Sequence, residues 1–207
     1  MTDTCAIPGL PFALTPEGPA AGTTWRVEDG VLTMDAGPVT DLFRDPARQD
    51  PAKGEDLVRL VGEVSGDFQL AARVQVGFRS TFDAGVLVLQ HGEQTWAKLC
   101  FEYTPQGRPS VVSVVTRGDS DDANSYEVAD DRIWLRISRT GRAFALHASE
   151  DGKWWKLIRY FSFGPLADSA PVKVGFLAQS PTGEGCPVVF DRIGFRAETL
   201  AQLRDGS

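Results

Sequence analysis

What this sequence has little of narrows its reading quickly. Basic residues are outnumbered, 21 Lys and Arg against 28 Asp and Glu, for a formal charge of −7. No run of Lys or Arg forms the basic stripe that a phosphate backbone requires, which argues against nucleic acid as a partner. No apolar run approaches the about 18 residues of a membrane-spanning helix, so no membrane partner is expected. The start, Met1-Thr2-Asp3-Thr4-Cys5, has neither the basic region nor the apolar core of a secretion signal, and the expected compartment is the cytoplasm. Cysteine is scarce: Cys5, Cys100 and Cys186 are an odd number at wide spacings, which fits reduced thiols better than a disulfide framework or a zinc site. His91 and His147 are the only histidines, so a Cys100 nucleophile has few bases to draw on. The HExxH, GxSxG, phosphate-loop and dinucleotide fingerprints are missing, and Gly183-Glu184-Gly185 follows Ser180-Pro181-Thr182 outside any strand-to-helix context. No cofactor is expected.

What is present reads as β-structure. Hydrophobic residues make up 42% of 207 residues, with 12 Phe and 5 Trp, enough for a sizeable core in one domain, 1–207. From about Trp25 to Arg196, alternating apolar and polar runs rich in Val, Phe, Trp and Thr are separated by Gly, Pro, Asp and Ser. The expected fold is all-β, a sandwich of two antiparallel sheets with about a dozen short strands. Asp29-Gly30 and Asp151-Gly152 mark two hairpins, because short hairpin turns need the positive φ that Gly and Asp tolerate. Longer strands are expected near 67–78, 85–90, 95–103, 110–116, 132–139, 172–179 and 187–196. Helical spacing occurs only at 197–203, which predicts a short C-terminal helix. The segment 45–55, with Pro46, Pro51 and Gly54, reads as a polar, mobile loop.

Strand parity separates the faces. In 133–139, Ile133, Leu135 and Ile137 form a core face and leave Trp134, Arg136 and Ser138 outside. In 95–103, Ala97, Leu99, Phe101 and Tyr103 oppose Trp96, Lys98, Cys100 and Glu102. Two strands presenting Trp with charges suggest one wall of a ligand groove, where a ring stacks and charged groups hydrogen-bond; the bland alternative is a solvated face. The acidic segment 118–124 offers oxygen ligands but lacks the spacing of a calcium loop, so it reads as a solvated turn and no metal site is assigned. Parity sends Trp154 and Trp155 to opposite faces.

The segments Thr40-Asp41-Leu42-Phe43-Arg44, Gly66-Asp67-Phe68, Asp83-Ala84-Gly85-Val86-Leu87, Trp96-Ala97-Lys98, Phe101-Glu102-Tyr103, Ser113 to Asp121, Trp134-Leu135-Arg136 and Ser149 to Trp154 together resemble the "regulation of enolase"-like family of unknown function. That family sits in the concanavalin A-like lectin/glucanase superfamily, and the likeness runs from about Trp25 to Phe195. It implies a jelly-roll sandwich with a concave sheet lined by Asp41, Asp83, Trp96, Lys98, Glu102, Trp134, Arg136 and Gln179. The pattern departs at Ala84, where the family carries Gln, and at Asp122, where it carries an aromatic. A carbohydrate or small-molecule ligand is the first functional expectation. A metabolic-enzyme partner, with this chain as a regulatory module, is the second. Third is a hydrolase using Asp83 and Glu102 as its two carboxyl groups, although the Glu-x-Asp-x-(x)-Glu strand typical of that superfamily's glucanases does not occur here.

Overall fold

The structure, a computed structural model, describes residues 4–19, 22–48, 57–165, 167, 168 and 170–207. Most of the 45–55 loop therefore lies outside the described residues. Fourteen strands follow one another: β1 (Thr15–Glu17), β2 (Thr24–Glu28), β3 (Val31–Asp35), β4 (Arg59–Val64), β5 (Phe68–Val76), β6 (Ala84–Gly92), β7 (Thr95–Tyr103), β8 (Pro109–Arg117), β9 (Asp119–Glu127), β10 (Arg132–Thr140), β11 (Ala143–Ser149), β12 (Lys156–Ser162), β13 (Val172–Gln179) and β14 (Pro187–Arg196). They pair antiparallel into two seven-stranded sheets, in the order β1-β4-β13-β6-β7-β8-β9 and β12-β11-β10-β5-β14-β3-β2, a sandwich consistent with a jelly roll.

Alternation decides which side chains enter the core. Leu99 and Phe101 of β7, Leu87 and Leu89 of β6 and Phe176 of β13 meet Ile133, Leu135 and Ile137 of β10, Leu70 and Val74 of β5 and Phe190 of β14 between the sheets. The Asp29-Gly30 turn joins β2 to β3 with φ of 50° and 76° at its two residues, as a two-residue primed hairpin requires. The β11–β12 connection is longer: β12 begins only at Lys156, and the Asp151 carboxylate accepts from the Lys153 and Trp154 amides to shape the loop.

The first sheet is apolar on its outer face as well. Val86 and Val88 of β6, Trp96 and Cys100 of β7, Val112 and Val114 of β8 and Leu177 of β13 form a second buried layer, closed by Leu42, Phe43 and Leu57. The run Ala84-Gly85-Val86-Leu87-Val88-Leu89 is buried throughout, which is how a strand covered on both faces reads in sequence.

Two expectations are corrected here. The acidic segment is strand β9 and no turn: Asp119 to Glu127 pair with β8 at the edge of the first sheet, where charged side chains on the open side are at home. The C-terminal segment forms no helix. It crosses the outer face of the second sheet with its carbonyls taken by side chains: Gln69 Nε2 donates to Thr199 O at 3.3 Å, His147 Nε2 to Leu203 O at 2.8 Å, and Arg136 Nη2 to Gly206 O. Those acceptors are unavailable to a helical ladder, and tertiary contact overrides a weak local preference.

Gly85 marks a close approach of the two sheets. A Cβ there would lie 2.6 Å from Cγ atoms of both Val74 and Val188, and β-branched side chains have little freedom to withdraw. Gly85→Ala is expected to cost about 2 kcal/mol by overpacking, read as a lower midpoint in urea unfolding with an unchanged slope. A midpoint equal to wild type removes this account of the inter-sheet contact.

Candidate functional site

Cross-strand register turns the outer face of the first sheet into a grid. One row runs Gln179, Ala84, Glu102, Ser110 across β13, β6, β7 and β8; the next runs Leu177, Val86, Cys100, Val112, Asn124; a third holds Val88, Lys98, Val114, Asp122. Above this grid lies a cavity of about 350 Å³, with Lys98, Glu102, Gln179, Asp122 and Asn124 in its wall and Asp41 and Phe43 entering from the segment after β3. Phe82, Gln106 and Pro181 bring three loops to its rim. The volume falls within the about 300–1,000 Å³ of small-molecule sites. A further depression of about 240 Å³ shares Gln106 and Asn124, extending the hollow along β8 and β9.

Lys98 is 2% exposed, and a charge so buried must be paired. Its Nζ donates to Gln179 Oε1 at 2.9 Å and lies 3.4 Å from Asp41 Oδ1, which also accepts from the Leu42 amide. Burial opposes the Lys98 charge, yet nearby acids, Asp41 foremost, hold its pKa above the ordinary lysine value. Glu102, 8% exposed, lies on the same face, but among the described residues no hydrogen bond reaches its carboxyl. Burial pushes its pKa up to about 8 against the pull of Lys98, with Asp122 and Asp41 adding to the rise. Asp122, exposed on its solvent side, is raised by the partial burial of its carboxyl and looks across at the same lysine. Between them, the Cys100 thiol is pushed well up by burial; protonated and fully enclosed, it is no nucleophile.

The sequence-derived set separates into two groups. Asp41, Lys98, Glu102 and Gln179 converge on the cavity. Trp134 and Arg136 do not: both point outward, as parity required, but β10 belongs to the second sheet, so the core lies between them and Lys98. There, with Gln69, Trp155 and Gly206, they line a separate cavity of about 360 Å³ under the C-terminal segment. Arg136 sits 4.1 Å from the Trp155 ring centroid and accordingly closes that face itself; Trp154 is 80% exposed beside it. The expectation of one shared wall is thus corrected, since alternation tells inside from outside without telling which sheet a strand joins.

Trp96 is corrected too. At 2% exposure it is packed in the second apolar layer, its centroid 5.9 Å from Lys98 Nζ, and offers no open ring. Asp83 is wholly buried and faces away from Glu102, because Ala84 is Glu102's cross-strand partner. Its Oδ2 accepts from the Arg79 and Ser80 amides at 2.8 Å each, and its Oδ1 from Ser180 Oγ at 2.6 Å. Ser180 in turn bridges to Thr40. Asp83 therefore ties together three rim segments and supports Phe82, whose φ of 69° is costly for a bulky side chain. It is a positioning residue, and the paired-carboxyl arrangement expected of Asp83 and Glu102 is absent.

Sequence reasoning missed Phe43, Phe82, Gln106, Asp122 and Asn124. Asp122 and Asn124 had a usable signal, their spacing of two along a strand, but it was hidden by reading the segment as a turn. Among the described residues no group of three His, Cys, Asp or Glu side chains is placed to hold a metal ion. Among the described residues no helix is long and apolar enough to cross a membrane.

Asp83→Ala is expected to lose three charge-assisted hydrogen bonds and roughly 3 kcal/mol of stability, lowering the melting temperature. An unaltered melting temperature contradicts the positioning role. The raised Glu102 pKa carries a signed consequence. The folded state binds a proton that the unfolded carboxyl, with a pKa near 4.5, has lost, so stability falls as pH rises from about 4.5 through about 8. The slope is at most about 1.4 kcal/mol per pH unit. His147, which burial lowers to about 4, acts in the opposite sense below its unfolded value of 6.5. Between pH 6.5 and 9 Glu102→Gln should flatten the curve and be the more stable protein at pH 9; parallel curves for the two proteins contradict this.

Residues 20–198 match a family described as "Protein of unknown function (DUF1349)". None of the curated proteins matches. Among solved structures, a functionally unknown protein from Saccharomyces cerevisiae superposes with a TM-score of 0.77 at 24% identity, over 89% of this chain and 96% of that one. The GH43 BlXynB protein of Bacillus licheniformis does so at 0.68 and 15%, covering 92% of this chain and 37% of its own. A xyloglucan-locus GH43B protein of Bacteroides ovatus gives 0.65 and 15%, over 91% and 37%. At these identities the likeness is one of fold, and this chain spans little more than a third of each GH43 protein.

Proposed function

The chain belongs to DUF1349, a family of unknown function, and from that premise we propose that it binds a carbohydrate or similar small polar molecule in the cavity over β6, β7, β8 and β9. The observation that carries this reading is the buried, unpartnered carboxyl of Glu102 opening into a hollow of about 350 Å³. No described residue takes up this carboxyl, which leaves it to whatever fills the hollow. Gln106, Asn124 and Gln179 supply amide donors and acceptors around it, and Phe43, Phe82 and Pro181 supply apolar surface, the mixture that a sugar ring needs. The adjoining depression accommodates a ligand longer than one ring. Carriage of this sandwich by GH43 proteins supports the carbohydrate class by fold analogy alone. Binding is favoured over hydrolysis because Asp83, the second carboxyl that cleavage would use, is committed to the rim loops.

A regulatory module docking on a metabolic enzyme is the second reading. Trp154, 80% exposed on the far sheet, favours it, and loss of capture of such an enzyme by Trp154→Ala would mark that route.

The test is a thermal-shift screen with xylo-oligosaccharides and other glycans on wild type, Asn124→Ala and Gln106→Ala, both cavity-wall changes away from the core. A true ligand at 100 times its Kd should raise the melting temperature by roughly 5–10 °C, and the two variants should reduce the rise. A rise that both variants retain in full places the ligand elsewhere and overturns the site.

A further inference from the structure

The polar groups of this cavity are unequal in sign. Among the described residues Lys98 is the single cation in its wall, against the three acids Asp41, Glu102 and Asp122. That lysine is already engaged by Asp41 and Gln179, which leaves Glu102 facing the hollow with no cation of its own, whereas Asp122 also feels Arg159. Glu102 is more than nine-tenths buried and unpartnered among the described residues. The groups facing it can be enumerated from the grid: Lys98 and Cys100 from its own strand, Asp122 from β9 and Asp41 from the segment after β3. The outer face adds Ala84 and Val86 from β6, Ser110 and Val112 from β8, and Gln179 from β13. Among the described residues Lys98 is the basic group that acts on Glu102, and Arg159 of β12 acts on Asp122.

Resting on the binding reading above, we propose that the occupant is an amino sugar, its ammonium seated on Glu102 and its hydroxyls on the amides of Gln106, Asn124 and Gln179. An ammonium flanked by hydroxyls gives the Glu102 carboxyl an ionic partner and uses the neutral amides; a neutral sugar uses the amides alone. The arriving cation favours the ionised form of Glu102, so the carboxyl proton, present in the free protein below about pH 8, leaves to solvent as the ligand enters.

The experiment is isothermal titration calorimetry at pH 6.5 in two buffers of different ionisation enthalpy, with wild type and Glu102→Gln, a variant expected to fold at least as well as its parent. The probes are glucosamine oligomers, their N-acetylated counterparts, neutral xylo-oligosaccharides and spermidine. Glucosamine oligomers should bind at least ten-fold tighter than the other three and release about one proton per site. Glu102→Gln should abolish that release and weaken binding ten-fold or more. Equal binding of spermidine overturns the amino-sugar assignment in favour of charge alone. Binding of neutral or acetylated sugars without proton release overturns the cationic ligand while leaving the cavity as a sugar site. No binding by any probe overturns both readings.

Discussion

The first sheet is apolar on both faces, and the rest of the molecule follows from the need to cover it. One face is buried against the second sheet, as in any sandwich. Covering the other draws Leu42, Phe43 and Leu57 over Val86, Val88, Val112 and Val114. That cover takes Lys98 and Glu102 out of water along with their apolar neighbours, and charged groups deprived of water must be paired or change protonation. Lys98 follows the first route through Asp41 and Gln179, Glu102 the second. The site is thus a by-product of packing: the layer that stabilises the sheet also fixes the chemistry of the few polar residues caught beneath it.

Much of this was legible in the sequence because pleat geometry is strict. The in-and-out assignments of 95–103 and 133–139 hold residue by residue, and Asp29-Gly30 forms the expected hairpin. Sheet membership was not legible, because alternation is identical whichever layer a strand enters. That is why Trp134 and Arg136 were grouped with Lys98 and Glu102 although the core stands between them. Composition misled in the acidic strand, where Asp119 to Asp122 look like a turn until an edge position gives their side chains open solvent.

The candidate site was half visible for a similar reason. Asp41, Lys98, Glu102 and Gln179 converge from three segments, and each carries a polar group in otherwise apolar surroundings, an anomaly that can be read from sequence. Phe82, Gln106 and Pro181 come from loops whose placement depends on long-range ties such as Asp83 to Ser180, and no local pattern announces those. Trp96 shows the opposite error: an aromatic on the outer face resembles a stacking platform, but an outer face that is itself covered makes it filler.

The C-terminal segment is held in a manner with its own evolutionary consequence. Gln69, His147 and Arg136 grip it by main-chain oxygens at Thr199, Leu203 and Gly206, features that every amino acid shares. Such an anchorage is keyed to spacing more than to side-chain identity, except at Gly206, whose φ of 70° and lack of room for a Cβ beside Arg136 and Trp155 call for glycine, and at the buried Leu200. Drift in composition elsewhere along this strap is cheap, whereas a single deletion would shift later acceptors off their donors, so lineages descended from this chain should vary there in letters and keep its length.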